Sequence, residues 1–184
     1  MNIDRTIIED SSGYGHNGIA NILPTIITDA PRYNTGITSN TTATITNNTS
    51  TIPTALTTER QYTMCTWLKT NGTINRWVFQ MGAGAGTTRG LWTTNNGSRP
   101  HFAYNGSGAF TGTTIINDNV WHHIAFTVND TTSKCYVDGV LCGSSTNTST
   151  SIAGNNKITL NLNGDESFSD FRLYCTPLLD TDIK

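Results

Sequence analysis

The sequence predicts an all-β fold, a two-sheet antiparallel β-sandwich of jelly-roll type. Three observations carry that prediction. Apolar residues recur at two-residue spacing in about a dozen short runs. Turn residues punctuate those runs every several positions. No stretch keeps the 3.6-residue apolar period of a long helix. The 184 residues suit a single domain, 1–184, with one core.

Residues 1–9 read as an entry strand or arm, and Asp10–Gly18 as a Gly-rich turn region leading to a strand over Ile19–Leu23. Pro24 and Pro31 limit regular structure between them. Residues 34–58 alternate at Ala43 and Ile45 and predict one or two short strands with a surface loop. Tyr62–Lys69 carries large groups on both faces, as a central sandwich strand does. Ile74–Met81 follows, then a flexible connection over Gly82–Gly86. That connection lacks the Lys-Ser/Thr ending and following helix of a phosphate loop. Arg89–Thr94, His101–Tyr104 and Phe110–Ile116 are the next runs.

The best-defined stretch is Val120–Gly143. Alternation places Val120, His122, Ile124, Phe126 and Val128 on an apolar face, with Trp121, His123 and Ala125 opposite. His122 is thereby a satisfied core histidine and His123 a sheet-surface one. Asp138-Gly139 is a two-residue hairpin signal, since a type I′ turn needs positive φ at both central positions. Counting outward from it sets Tyr136 opposite Leu141 and Cys135 opposite Cys142. Lys157–Leu162 and Phe168–Tyr174 are the last strands, and Pro177–Ile183 predicts one helical turn.

Four segments in order resemble the laminin-G-like domains of the concanavalin A-like lectin and glucanase superfamily. They are the opening Asp10–Gly18, the strand Tyr62–Lys69, the meander from Trp121 to Leu141, and the closing Phe168–Tyr174 with Leu178–Ile183. Asp29–Tyr33 also resembles a segment recurrent in such domains of bacteriophage structural proteins. The resemblance implies a sandwich whose first and last strands lie side by side. It does not specify a ligand.

Charged residues make up 13% of the chain and the net charge is −2 with no basic run, which argues against a nucleic-acid or anionic-membrane binder. No apolar run approaches the roughly 20 residues that span a bilayer. The start, Met-Asn-Ile-Asp-Arg, has no hydrophobic signal core. The expectation is therefore a fragment of a longer protein, or a protein not exported by the general secretory route. The four cysteines, Cys65, Cys135, Cys142 and Cys175, show no zinc-ligand spacing and are expected to be free thiols.

Glycoside hydrolysis needs two carboxylates across the scissile bond. The chain has only Glu9, Glu59 and Glu166, outside the glucanase pattern, and Asp165 and Glu166 alternate to opposite faces. Ser, His and Asp occur without a nucleophile elbow. Calcium, which takes six to eight oxygens, is the candidate cofactor. Asp10 with Asp165, Glu166 and Asp170 would gather at one rim if the first and last strands pair. A sugar site needs aromatic rings and hydrogen-bonding groups. Trp92 and Tyr104 are the stacking candidates, with Arg89 and His101 for hydroxyls or an acidic sugar; Trp67 and Trp121 read as packing.

The sequence thus points to a non-catalytic carbohydrate-binding or adhesion module of a larger virion or extracellular-surface protein, not an enzyme. Its partners would be a host-surface or mucosal glycan and the other structural proteins of the same particle. A homo-oligomer would raise weak affinity by multivalent display. The competing reading is a virion decoration or spacer domain without a sugar site, and a glycoside hydrolase is third. A shallow groove with an exposed aromatic separates the first two.

Overall fold

The computed structural model describes residues 6–47, 61–72, 76–81, 89–93, 99–104, 107–146 and 158–183. They form β1 (Thr6–Ile8), β2 (Gly18–Ala20), β3 (Thr25–Ile27), β4 (Gly36–Thr38), β5 (Thr42–Asn47), β6 (Gln61–Thr70), β7 (Arg76–Met81) and β8 (Arg89–Thr93). After these come β9 (Pro100–Tyr104), β10 (Ser107–Thr111), β11 (Trp121–Asn129), β12 (Thr132–Val137), β13 (Val140–Thr146), β14 (Ile158–Asn163) and β15 (Glu166–Tyr174). A 3₁₀ turn, Asp180–Asp182, stands where the helical turn is expected.

The strands make two antiparallel sheets, one of eight strands, β1-β2-β5-β14-β7-β8-β9-β10, and one of seven, β13-β12-β11-β6-β15-β4-β3. The predicted all-β sandwich is thus the observed fold. Its core lies between the sheets: Phe79 and Phe102 from the eight-stranded sheet meet Phe126 from the other, with Phe102 and Phe126 stacked at 5.0 Å. Ile124 and Val128 belong to the same core, as the alternation predicts.

Four expectations are corrected. The first described strand, β1, is an edge of the eight-stranded sheet, while β15 lies between β6 and β4 in the other, so the two are not neighbours. A strand, β3, forms between Pro24 and Pro31. It is three residues long at a sheet edge, where a neighbouring proline removes no ladder bond. The Phe110 run ends at Thr111, because the Gly112 and Thr113 amides donate to Pro100 O and Cys142 O outside the sheet ladder. The Gly82–Gly86 connection lies outside the described residues.

The fourth correction concerns the hairpin. Asp138 and Gly139 both have positive φ, 52° and 78°, and Tyr136 pairs with Leu141 as counted. A bulge then sets Cys135 opposite Gly143, leaving Cys142 as the extra residue. A side chain on Gly143 would meet the Phe110 ring at 2.9 Å, so the bulge places glycine where the neighbouring ring requires it.

All four cysteines are free, and only Cys175 is exposed. Burial pushes the Cys65 thiol up to about 11 and the Cys135 thiol well above its ordinary value. The folded protein should therefore gain one alkyl group by intact mass at neutral pH, and the unfolded protein four. Four rapid additions to the folded protein would contradict the burial; two after unfolding would reveal a disulfide.

Candidate functional site

Arg89 and Trp92 lie on β8, His101 and Tyr104 on β9, and the ladder pairs Arg89 with Tyr104 and Trp92 with His101. Phe102 turns into the core, so by alternation the Trp92–His101 positions and the Arg89–Tyr104 positions belong to opposite faces of the sheet. The side chains of Arg89, Trp92 and Tyr104 lie outside the described residues. The His101 ring is partly buried, with Nδ1 2.7 Å from Thr111 Oγ1 on β10, and burial lowers its pKa.

The proposed calcium set does not converge. Asp10 organises its own turn: its carboxylate accepts from the Ser12 amide, the Ser12 hydroxyl and the His16 amide. Asp170 sits on the other sheet between Arg32 and Arg172. Glu166 is buried at the start of β15, and Asp165 is exposed. Among the described residues no three His, Cys, Asp or Glu side chains are grouped to hold a metal. The rim imagined for them requires β1 and β15 to be paired, and they are in different sheets.

The outer face of the seven-stranded sheet is the better-built surface. On β6 and β11 the ladder pairs Lys69 with Trp121, Trp67 with His123 and Cys65 with Ala125. Both tryptophans are partly buried; Trp67 packs on His123 at 5.3 Å, and the Lys69 ammonium lies 5.9 Å from the Trp121 ring centroid. Lys69 also binds Asp29 at 2.7 Å. The hydrogen bond from Lys69 holds the Asp29 carboxyl below its usual range. The chain end straps part of this face. Ile183 and Leu178 pack on Cys65, Ala125 and Tyr136, and Asp180 takes hydrogen bonds from Tyr136 and Lys134.

Beside the strap lies a cleft of about 90 Å³ walled by Arg32, Thr63, His123, Asp170, Arg172 and Tyr174. A bulge in β15 between Ser169 and Arg172 builds it. Asp170, at φ 51°, faces outward beside Arg172, while Phe171 turns in to pack on Phe79. Asp170 binds Arg172 Nε at 2.8 Å and Arg32 Nε at 3.4 Å. Arg172 Nη2 donates to the Tyr33 hydroxyl at 3.3 Å, and Arg32 lies 5.5 Å from the Tyr33 ring centroid. Tyr33 itself is 72% exposed.

His123, expected at the surface, is buried here, and its Nδ1 has no protein partner. Burial lowers its pKa, which leaves the imidazole neutral near pH 7. The strap and Trp67 cover it, which alternation within β11 alone does not reveal. Sequence reading singled out Asp29–Tyr33 and Phe168–Tyr174 as motifs. It missed that the β15 bulge brings them together.

His122 is on the core face, as expected, and satisfied. Its Nδ1 is 2.7 Å from Asp138 Oδ2 and its Nε2 3.2 Å from Asp118 Oδ1. Burial alone would lower its pKa, but the bonds and charges of Asp138 and Asp118 outweigh burial and raise it. A raised folded pKa gives stability that is complete below the unfolded value near 6.5 and is lost as pH rises through the folded value. The stability difference between wild type and His122→Gln should therefore shrink from about pH 5.5 to about pH 8.5. A difference that is flat with pH would contradict the ion pair. The two-variant comparison removes the opposite contributions of His101 and His123.

A family model described as the concanavalin A-like lectin/glucanases superfamily matches residues 39–184, and the chain belongs to that family. No curated protein sequence matches it. Among solved structures it is similar to domain 4 of AbnA, an extracellular GH43 arabinanase of Geobacillus stearothermophilus in complex with arabinotriose. The TM-score is 0.72 at 18% identity, covering 96% of this chain and 90% of that one. It is similar to the binding domain of Paraclostridial Mosquitocidal Protein 1, with TM-score 0.70, 16% identity and 95% of this chain against 48% of that one. A botulinum neurotoxin type C structure, reported with dependence of cell entry on two ganglioside molecules, gives 0.70 at 15% identity, covering 96% and 49%. The chain thus spans about half the length of the toxin chains it matches. These likenesses establish the fold.

Proposed function

We infer that this member of the concanavalin A-like superfamily is a non-catalytic carbohydrate-binding module, carried by a larger extracellular or virion-associated protein. The observation that supports the reading best is the cleft whose two arginines, Arg32 and Arg172, both contact Tyr33. It is a shallow groove with an exposed aromatic, the feature that separates a sugar site from a spacer. Arg32, Arg172 and Asp170 supply donors and an acceptor for hydroxyls. The full-length similarity to a domain that binds arabinotriose agrees with it. The virion context rests on the likeness of Asp29–Tyr33 to a segment of bacteriophage structural domains. That segment contributes Asp29, Arg32 and Tyr33 to this face.

A second position on the other sheet is Trp92 with His101, from which Arg89 and Tyr104 are separated by face. The carboxylates do not suit hydrolysis: Asp170 is engaged by two guanidiniums and Glu166 is buried. A glycan array probed with a multivalent display of the domain tests the reading, since one shallow site gives roughly millimolar to micromolar affinity. Retention of a defined set of glycans without release of reducing sugar is expected. A silent array would remove the sugar site and leave the spacer role; sugar release lost on changing Glu166 would make it an enzyme.

A further inference from the structure

We propose that the cleft takes the carboxylate of an acidic sugar, with the sugar ring outside it against Tyr33; this rests on the carbohydrate-binding reading above. The charge balance is the first ground. Arg32 and Arg172 share one partly buried partner, Asp170, and each reaches it through Nε. The terminal nitrogens of Arg172 are held by long bonds, 3.4 Å to Tyr174 and 3.3 Å to Tyr33. Arg32 is half exposed, and its outer edge faces solvent at the cleft mouth. Two guanidinium edges around one opening form the fork that a carboxylate accepts in bidentate fashion.

Size is the second ground. About 90 Å³ is below the roughly 150 Å³ of a cavity that holds benzene, so the cleft suits a carboxylate group rather than a whole pyranose. The ring must then lie outside, where Tyr33 stands exposed beside Arg32. The third ground is His123. It is more than nine-tenths buried at the cleft wall and its Nδ1 has no partner in the protein. A buried polar atom without a partner is costly unless a ligand or water meets it. One exposed carboxylate, Asp182, lies on the rim and opposes an anion, so affinity should stay modest.

The test is amide-resolved NMR titration of the intact chain with glucuronic acid, against glucose and acetate as controls. Glucuronic acid should shift the amides of residues 32, 33, 123 and 170–174 with a dissociation constant of roughly millimolar order. Glucose should leave them unmoved, and acetate should bind at least about tenfold more weakly for want of the ring. Arg32→Ala should weaken glucuronic acid at least about tenfold. No shift at about 50 mM glucuronic acid, or equal responses to glucose, would overturn the proposal. Equal affinity for acetate would reduce the cleft to an anion hole and overturn it too. Should Arg32→Ala disturb folding, the wild-type titration with its two controls still decides. Neutral glycans retained on the array with an unmoved cleft would sink this proposal alone. A silent array with an unmoved cleft would sink both this proposal and the module reading.

Discussion

Replacing Phe102 with alanine is expected to lower stability by about 3–5 kcal/mol. Phe102 is fully buried and stands where the two sheets meet. Its ring stacks on Phe126 at 5.0 Å and tilts against Phe110 at 6.0 Å. Alanine removes the ring's transfer free energy and leaves a cavity that neither sheet can close, because β9 is fixed by ladders to β8 and β10. A domain of this kind holds about 5–15 kcal/mol in all, so the loss is a large fraction. Urea titration should show a lower midpoint with an unchanged slope. By contrast, Ile26→Ala on edge strand β3 should change stability by less than about 0.5 kcal/mol, since Ile26 is 70% exposed. A Phe102→Ala loss below about 1 kcal/mol would mean that the aromatic stack is not the centre of the core.

The same aromatic stack shows what the sequence could tell. Period-two alternation put Ile124, Phe126 and Val128 on one face because a strand allows no other arrangement, and that face is the core. The Asp138-Gly139 turn was legible because backbone sterics restrict positive φ to a few residue types. Register failed one step past it, at Cys142, because a bulge is set by tertiary crowding, here of Phe110 against Gly143. The β15 bulge escaped notice for a like reason. Strict alternation from Phe168 would put Asp170 and Arg172 on the core face and Phe171 outside, whereas the bulge reverses all three. The cleft is walled by Arg32, Thr63, His123, Asp170, Arg172 and Tyr174, which are far apart in the chain, so no local pattern could reveal it. His123 was misplaced because the strap that covers its face belongs to a different part of the chain. Composition shows no basic run, and the meeting of Arg32, Arg172, Asp170 and Asp182 at the cleft is a property of the fold.

Tyr33→Ala is expected to weaken glycan binding roughly thirtyfold, about 2 kcal/mol, while leaving the fold intact. The exposed ring contributes little packing, so its loss should not reach the core. Its φ is 59°, a region that disfavours alanine as much as tyrosine, so the backbone term nearly cancels. What is lost is the surface a sugar ring lies on, together with the hydroxyl that takes a bond from Arg172. Tyr33→Phe separates the two, and should retain most of the affinity if stacking dominates. Trp92→Ala is the counterpart on the other sheet. If the cleft face carries the glycan, Trp92→Ala should leave binding unchanged in a folded protein. Loss of binding in folded Trp92→Ala with Tyr33→Ala unaffected would move the site to β8 and β9. Unfolding of Trp92→Ala would identify that tryptophan as a packing residue, and the Tyr33 result would then decide the location by itself.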